Sequence, residues 1–189
     1  RRNAARFEGM AGERRDRLAR MLGEQPVGRA AAVDVVFDAL NDPAAVAERL
    51  LGHAQHTLVI FDRDLLPLHL ERPAQIASLT RFLHTSPMSR LRIAVHSADA
   101  LRNQHPRLLD LLRNFAHKFQ VQEIPPHLAN LSDSMLIADG ESALIRFHCD
   151  HARSKEILAD AEACKPYAKR FEDIWNEGGT PISATVAGL

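Results

Sequence analysis

The run Thr57–Phe61 (TLVIF) limits what this chain can fold into more than any other segment. It has no polar side to offer solvent, so it reads as a strand buried on both faces, which requires a sheet covered above and below. Leu91–His96 (LRIAVH) has the same character, and Phe119–Ile124 (FQVQEI) is a third, more polar strand expected nearer an edge. Between them, Ala74–His84 sets Ile76, Leu79, Phe82 and Leu83 on one helical face, and Pro106–His117 does so with Leu108, Leu109, Leu111, Leu112 and Phe115. Pro125-Pro126 ends the third strand, because proline cannot donate to a ladder. Ser134–Ala138 and Ala143–Phe147 then flank Asp139-Gly140-Glu141-Ser142, where Asp-Gly suits a tight hairpin turn. The order βαβαβ followed by a hairpin and helices predicts an α/β fold: a mixed, mostly parallel sheet with helices on both faces.

Upstream, Ala30–His53 has Val33, Val36, Phe37 and Leu40 at helical spacing, and Asp42-Pro43 reads as an N-cap with proline at the first helical position. Downstream, Ile157, Ala161, Cys164, Ala168, Phe171 and Trp175 predict one face of a long helical element. Pro166 is expected to interrupt it and start a second helix. Gly178-Gly179 should end it. The expected organisation is a basic helix or linker over 1–31, an α/β domain over 32–178 and a flexible tail over 179–189. The chain begins at Arg1 without a methionine, so a piece of a longer polypeptide is expected.

Charge narrows the function classes. Lys+Arg and Asp+Glu are equal at 24 each. Eight arginines against four acids make residues 1–31 net +4, which leaves −4 for the remainder. A mildly acidic body with one Trp, one Tyr and eight Phe argues against nucleic acid as a partner. No stretch of ~18 apolar residues is present, so no membrane-spanning helix is expected. The arginine-rich start lacks the apolar core of a signal peptide, and two cysteines, Cys149 and Cys164, fit a reducing compartment. A cytoplasmic protein is expected.

The hairpin carries the most specific pattern. Phospholipase-D-type enzymes place His-x-Lys-x4-Asp on a strand leading into a turn; the His attacks phosphorus, the Lys holds the phosphate and the Asp sits at the turn. That spacing falls here on Ser132, Ser134 and Asp139, with Gly140 following. Arg63-Asp64-Leu65 after the first strand, His96 ending the second, His105-Pro106-Arg107-Leu108 opening the next helix, and Phe171 with Trp175 extend the similarity. From about Thr57 to Glu177 the chain resembles an uncharacterised phospholipase-D-like domain of proteobacterial proteins, often attached after an acetyltransferase of the GNAT superfamily. The resemblance implies a half-domain of that fold, with an upstream acetyltransferase domain of the same polypeptide as a partner. Single-motif members build one site from two copies, so it also implies a symmetric homodimer, the commonest closed assembly.

The residues argue against phosphodiester cleavage. A serine hydroxyl needs an adjacent base to become a nucleophile, and the motif supplies neither His nor Lys. Two further readings compete. Val59-Ile60-Phe61-Asp62-Arg63-Asp64 is similar to the first motif of haloacid-dehalogenase phosphatases, whose paired carboxylates hold Mg²⁺ and supply a nucleophile; Ser97 and Asp139 sit where later motifs would fall, but Leu65 stands in place of the usual Thr. On the plainer reading, Asp62 and Asp64 are polar strand-end residues paired with Arg63, Arg92 or a similar cation. His148-Cys149-Asp150-His151 invites a metal reading, yet no second cluster has zinc spacing, and a helix capped by Asp150 is the simpler account. His105-Pro106-Arg107 opens a helix whose free N–H groups, with Arg107, suit an anion. His96 ends a strand where open α/β sheets bind ligands. No acetyl-CoA motif or phosphate loop is present.

The sequence therefore points to a non-catalytic phospholipase-D-like module for binding, regulation or dimerisation, without cofactor or metal. The alternatives are a divergent metal-dependent phosphohydrolase using Asp62 and Asp64, and an accessory domain of an acetyltransferase. Candidate ligand-binding residues are Asp62, Arg63, Asp64, His96, His105 and Arg107.

Overall fold

The computed structural model describes residues 33–37, 42–148 and 153–184, which belong to one compact unit. The basic segment 1–31 lies outside them. Strand β1 (Val33–Phe37) is followed by helix α1 (Pro43–His53) and strand β2 (Thr57–Asp62). A 3-10 turn (Leu66–Leu68) leads to α2 (Pro73–Thr85) and β3 (Arg90–Val95). Two short helices, α3 (Ala98–Gln104) and α4 (Pro106–Asn114), precede β4 (Phe119–Glu123). A second 3-10 turn (Pro126–Leu128) leads to the β5 (Ser134–Ala138) and β6 (Ser142–Arg146) hairpin. The chain closes with β7 (Ser154–Leu158), α5 (Ala161–Asn176) and β8 (Thr180–Pro181).

The strands form one sheet in the order β1-β7-β6-β5-β2-β3-β4-β8. It is mixed and α/β, as expected, but among the described strands only β2, β3 and β4 run parallel; the other five neighbouring pairs are antiparallel. Period-two alternation divides the side chains between two cores. Leu58, Ile60, Leu91, Ile93, Phe119, Val121, Leu136 and Leu144 face α1, α2 and α4. Phe61, Ala94, Met135, Ile137, Ile145 and Ile157 face α5, which contributes Cys164, Phe171 and Ile174. Burial raises the Cys164 thiol to about 11, which leaves it a packed, inert group.

Four expectations are corrected. Val33–Phe37 is a strand, not part of a helix: it pairs antiparallel with β7, from Val33↔Leu158 to Phe37↔Ser154. A β-branched VDVVF segment fits a ladder edge, and partner pairing overrides its coincidental helical spacing. Ile157 likewise belongs to β7, because the chain turns at Ala159 (φ 51°) before Asp160 caps α5 through Ala163 N–H at 3.0 Å. Pro166 does not divide α5, which runs through it; buried Cys164, Phe171 and Ile174 on both sides offset the one missing hydrogen bond. The supposed tail begins with β8, antiparallel to β4 through Gln122 and Glu123, and Ile182 is buried beyond it. Gly179 permits that approach, since a Cβ there would lie 2.3 Å from the Glu123 carbonyl oxygen. The sequence reading also missed α3, a seven-residue helix capped by the Ser97 hydroxyl. No helix among the described residues is long and apolar enough to cross a membrane.

The hairpin turn fixes how the central strands align. Asp139 (φ 54°) and Gly140 (φ 71°) turn the chain left-handed, as the Asp-Gly pair predicts. The Asp139 carboxylate accepts the N–H groups of Gln55 (2.8 Å), His56 (2.7 Å) and Thr57 (2.8 Å), and its own N–H donates to the Thr57 carbonyl at 2.8 Å. Hydrogen bonds to a charged acceptor are the stronger class. Asp139→Ala is therefore expected to destabilise the fold by about 2–3 kcal/mol in denaturant unfolding. Asp139→Asn should cost less, because asparagine tolerates the left-handed backbone and keeps one acceptor oxygen.

Candidate functional site

Because β5 runs antiparallel to β2, the ends of β2, β3 and β6 and the starts of β5 and β7 meet at one end of the sheet. Phe61 lies opposite Met135, Ser134 opposite Arg146, and Arg146 opposite Ser154. Asp62 ends β2 almost sealed from solvent, at 1 % exposure. Its Oδ1 accepts the N–H groups of Asp64 (3.1 Å) and Leu65 (2.9 Å), closing a turn in which Leu65 adopts φ 64°. Its Oδ2 faces the Arg146 Nη1 at 3.7 Å, an ion pair with side chains 2 % and 9 % exposed.

That geometry answers the paired-carboxylate reading. Asp62 is a buried turn-former and Asp64 turns outward to accept the Leu66 N–H at 3.0 Å. Asp139 lies at the opposite end of β2, roughly 15–20 Å away by strand rise, so it cannot join them. Ser97 is spent as a helix cap. Asp62 has its arginine in Arg146, while Arg92 bonds Glu172 rather than either carboxylate. Among the described residues no group of three His, Cys, Asp or Glu could hold a metal ion. Cys149, Asp150 and His151 lie outside the described residues, and the next element is β7 rather than the helix expected there.

The helix opening at His105 is already occupied. Glu71 sends Oε2 to the Arg107 N–H (3.2 Å) and Oε1 to the Leu108 N–H (2.9 Å), and the Arg107 guanidinium donates to the Glu71 carbonyl at 2.8 Å. A carboxylate of the chain itself thus fills the expected anion position, as helix electrostatics favour. His105 is buried, with Nε2 at 2.7 Å from the Asp64 carbonyl; a carbonyl only accepts, so Nε2 carries the proton. Both residues build the turn after β2.

His96 remains at the mouth. Its half-buried ring stacks on Phe61 at 5.4 Å, and the His96 backbone N–H donates to the Arg63 carbonyl at 3.3 Å. Burial, then the Arg63 charge, hold its pKa below the ordinary 6.5, against the pull of Asp62, Asp133 and Asp64. Ser134 is buried and the Ser132 hydroxyl donates to the Asn130 carbonyl at 3.4 Å. Asp133, between them, is gripped by Arg170 of α5 through Nε (2.6 Å) and Nη2 (2.7 Å). The structure thus brings Asp62, Arg63, Asp64, His96 and Ser134 to one end and sends Asp139 to the other. Sequence reasoning missed Arg146, Asp133, Arg170 and Glu71. Arg146 had a signal: one arginine in the apolar strand SALIR needs a buried carboxylate.

Breaking the buried pair should be costly. Arg146→Met leaves Asp62 charged and sealed, and is expected to destabilise by about 3–5 kcal/mol in denaturant unfolding, with Asp62→Asn in the same chain restoring part of it. His96 binds its proton less readily folded than unfolded, so its contribution to stability is present above pH 6.5 and lost as pH falls below that value. Histidine NMR titration should place its midpoint below 6.5, and His96→Gln should flatten the loss of stability on acidification.

The family model for a domain of unknown function, DUF7931, matches residues 40–183. No curated protein sequence matches the chain. Among solved structures, TrmBL2, described as an archaeal chromatin protein with a novel mode of DNA binding, aligns with TM-score 0.58 and 15 % identity over 96 % of this chain; the chain spans 65 % of TrmBL2. Nuc from Salmonella typhimurium, a phospholipase D family member, aligns with TM-score 0.51 and 11 % identity over 80 % of this chain and 99 % of its own. NucT from Helicobacter pylori aligns with TM-score 0.52 and 8 % identity, over 79 % and 99 % respectively. At such identities the likeness is one of fold, and the fold is phospholipase-D-like. With the family model spanning most of its length, the chain belongs to the DUF7931 domain family.

Proposed function

We propose that this chain is a non-catalytic phospholipase-D-like module that binds or self-associates within a larger bacterial polypeptide, downstream of an acetyltransferase domain. The observation that carries the reading is the end of the sheet where Ser132 and Ser134 replace the motif's nucleophile and phosphate-holding cation. Ser134 is buried, Asp62 is spent on its turn and on Arg146, and Asp133 is spent on Arg170. What is left pairs charges and closes turns. Among the described residues, none of these groups is a base bonded to a serine hydroxyl, and no group of three His, Cys, Asp or Glu could hold a metal ion.

The homodimer is proposed at this same end, where half-domains of this fold meet. Phe147, the residue after Arg146, is 45 % exposed there, with the Arg153 guanidinium 6.0 Å from its ring. A purified chain is expected to show no turnover of bis(p-nitrophenyl) phosphate, with or without Mg²⁺. Turnover abolished by Ser132→Ala would overturn the reading, as would Mg²⁺-dependent p-nitrophenyl phosphate hydrolysis abolished by Asp62→Asn. Light scattering should give a dimer, shifted toward monomer by Phe147→Asp; a monomeric wild type would remove self-association from the proposal.

A further inference from the structure

A second place invites a ligand, at the opposite end of the sheet. On the α5 face the residues of the parallel strands are Thr57, Val59 and Phe61, then Arg90, Arg92 and Ala94, then Gln120 and Gln122. Helix α5 packs over β2, β5 and β6, so the beginnings of β2, β3 and β4 lie open on that face. They form a concavity of about 270 Å³, lined by Thr57, Val59, Arg90, Arg92, His117, Lys118 and Gln120. Three of these are basic side chains and none is a carboxylate.

Two of the cations are pre-positioned by backbone carbonyls, which do not neutralise them. The Lys118 ammonium donates to the carbonyls of Leu83 (2.8 Å) and Ser86 (2.9 Å). The Arg90 guanidinium donates to the carbonyls of Pro87 (3.0 Å) and Ser89 (2.9 Å). Arg92 differs: it lies over the Phe171 and Trp175 rings and bonds Glu172, whose carboxyl is held below its ordinary pKa range by those hydrogen bonds. Elsewhere among the described residues, Arg49, Arg102, Arg113 and Arg170 each meet a carboxylate. After Arg92 is balanced by Glu172, Arg90 and Lys118, which bond backbone carbonyls and no carboxylate among the described residues, line one small hollow. Thr57 and Gln120 add a hydroxyl and an amide as neutral donors.

We propose that this hollow binds a small dianionic phosphate, a phosphomonoester or pyrophosphate group, between Arg90 and Lys118. The volume falls just below the range for drug-sized ligands and suits a phosphate with a compact body. An arginine offers the planar fork that phosphate oxygens fit, and a lysine the point charge beside it. The site is separate from the Ser132–Ser134 end and does not depend on whether the chain is catalytic.

Isothermal titration of the whole chain with pyrophosphate at low ionic strength tests this directly. Saturable one-to-one binding is expected, weakened about tenfold by Arg90→Gln, the loss of one charge-assisted interaction. Arg90→Glu should abolish it, and Arg102→Gln, on the far side of the sheet ends, should not change it. Lys118 also closes the end of α2, so Lys118→Gln is read by chemical-shift mapping on a chain whose folding is confirmed by its spectrum. There the pyrophosphate shifts at Thr57, Arg90 and Gln120 should vanish. Equal binding by wild type and Arg90→Glu would overturn the proposal. So would no saturable heat at millimolar pyrophosphate, or binding of an oligonucleotide but not of pyrophosphate.

Discussion

The arrangement of this domain depends on one carboxylate at a hairpin turn. Asp139 collects three successive backbone N–H groups at the entry to β2 and returns its own N–H to Thr57. It thereby sets the register of β2 on β5, with Leu58 opposite Ala138 and Phe61 opposite Met135. A slip by one residue would send every side chain of a doubly buried strand to the wrong core. The same register carries Asp62 to the end where β6 delivers Arg146, and Thr57 to the end where Arg90 and Lys118 gather.

The three positions set against the phospholipase-type spacing have two different physical fates. Asp139 does a folding task at the hairpin turn. Ser132 and Ser134 lie at the far end of β5. The buried Asp62–Arg146 pair nearby is worth little as net stability, because desolvation opposes its attraction. What it does is link the end of β2 to the end of β6, two strands separated by β5 in the sheet.

Much of the architecture was legible in local pattern. TLVIF announced a strand with two covered faces, and Leu58 and Ile60 indeed enter one core while Phe61 enters the other. Asp42-Pro43 announced a helix start, and the Asp42 carboxylate accepts the Ala44 N–H at 3.0 Å. The failures share a cause. VDVVF and Ile157 met helical spacing by coincidence, and only their mutual pairing in β1 and β7 shows them to be strands. Pro166 should interrupt a helix taken alone, but α5 is held by burial on both sides of it.

For the candidate sites the division is sharper. The residue types at strand and helix ends, and the absence of the motif's His and Lys, were fixed by the sequence alone, because those are matters of identity and spacing. Which groups face one another was decided by the tertiary structure. Glu71 fills the helix opening that Arg107 seemed to offer, Arg92 turns to Glu172 rather than to the β2 carboxylates, and Arg90 of β3 and Lys118 of the turn before β4 line one hollow. Ion pairing and pocket formation depend on distances across the sheet and on which face a helix leaves open. No local pattern encodes those distances, and here they follow from an antiparallel β5 and from where α5 lies.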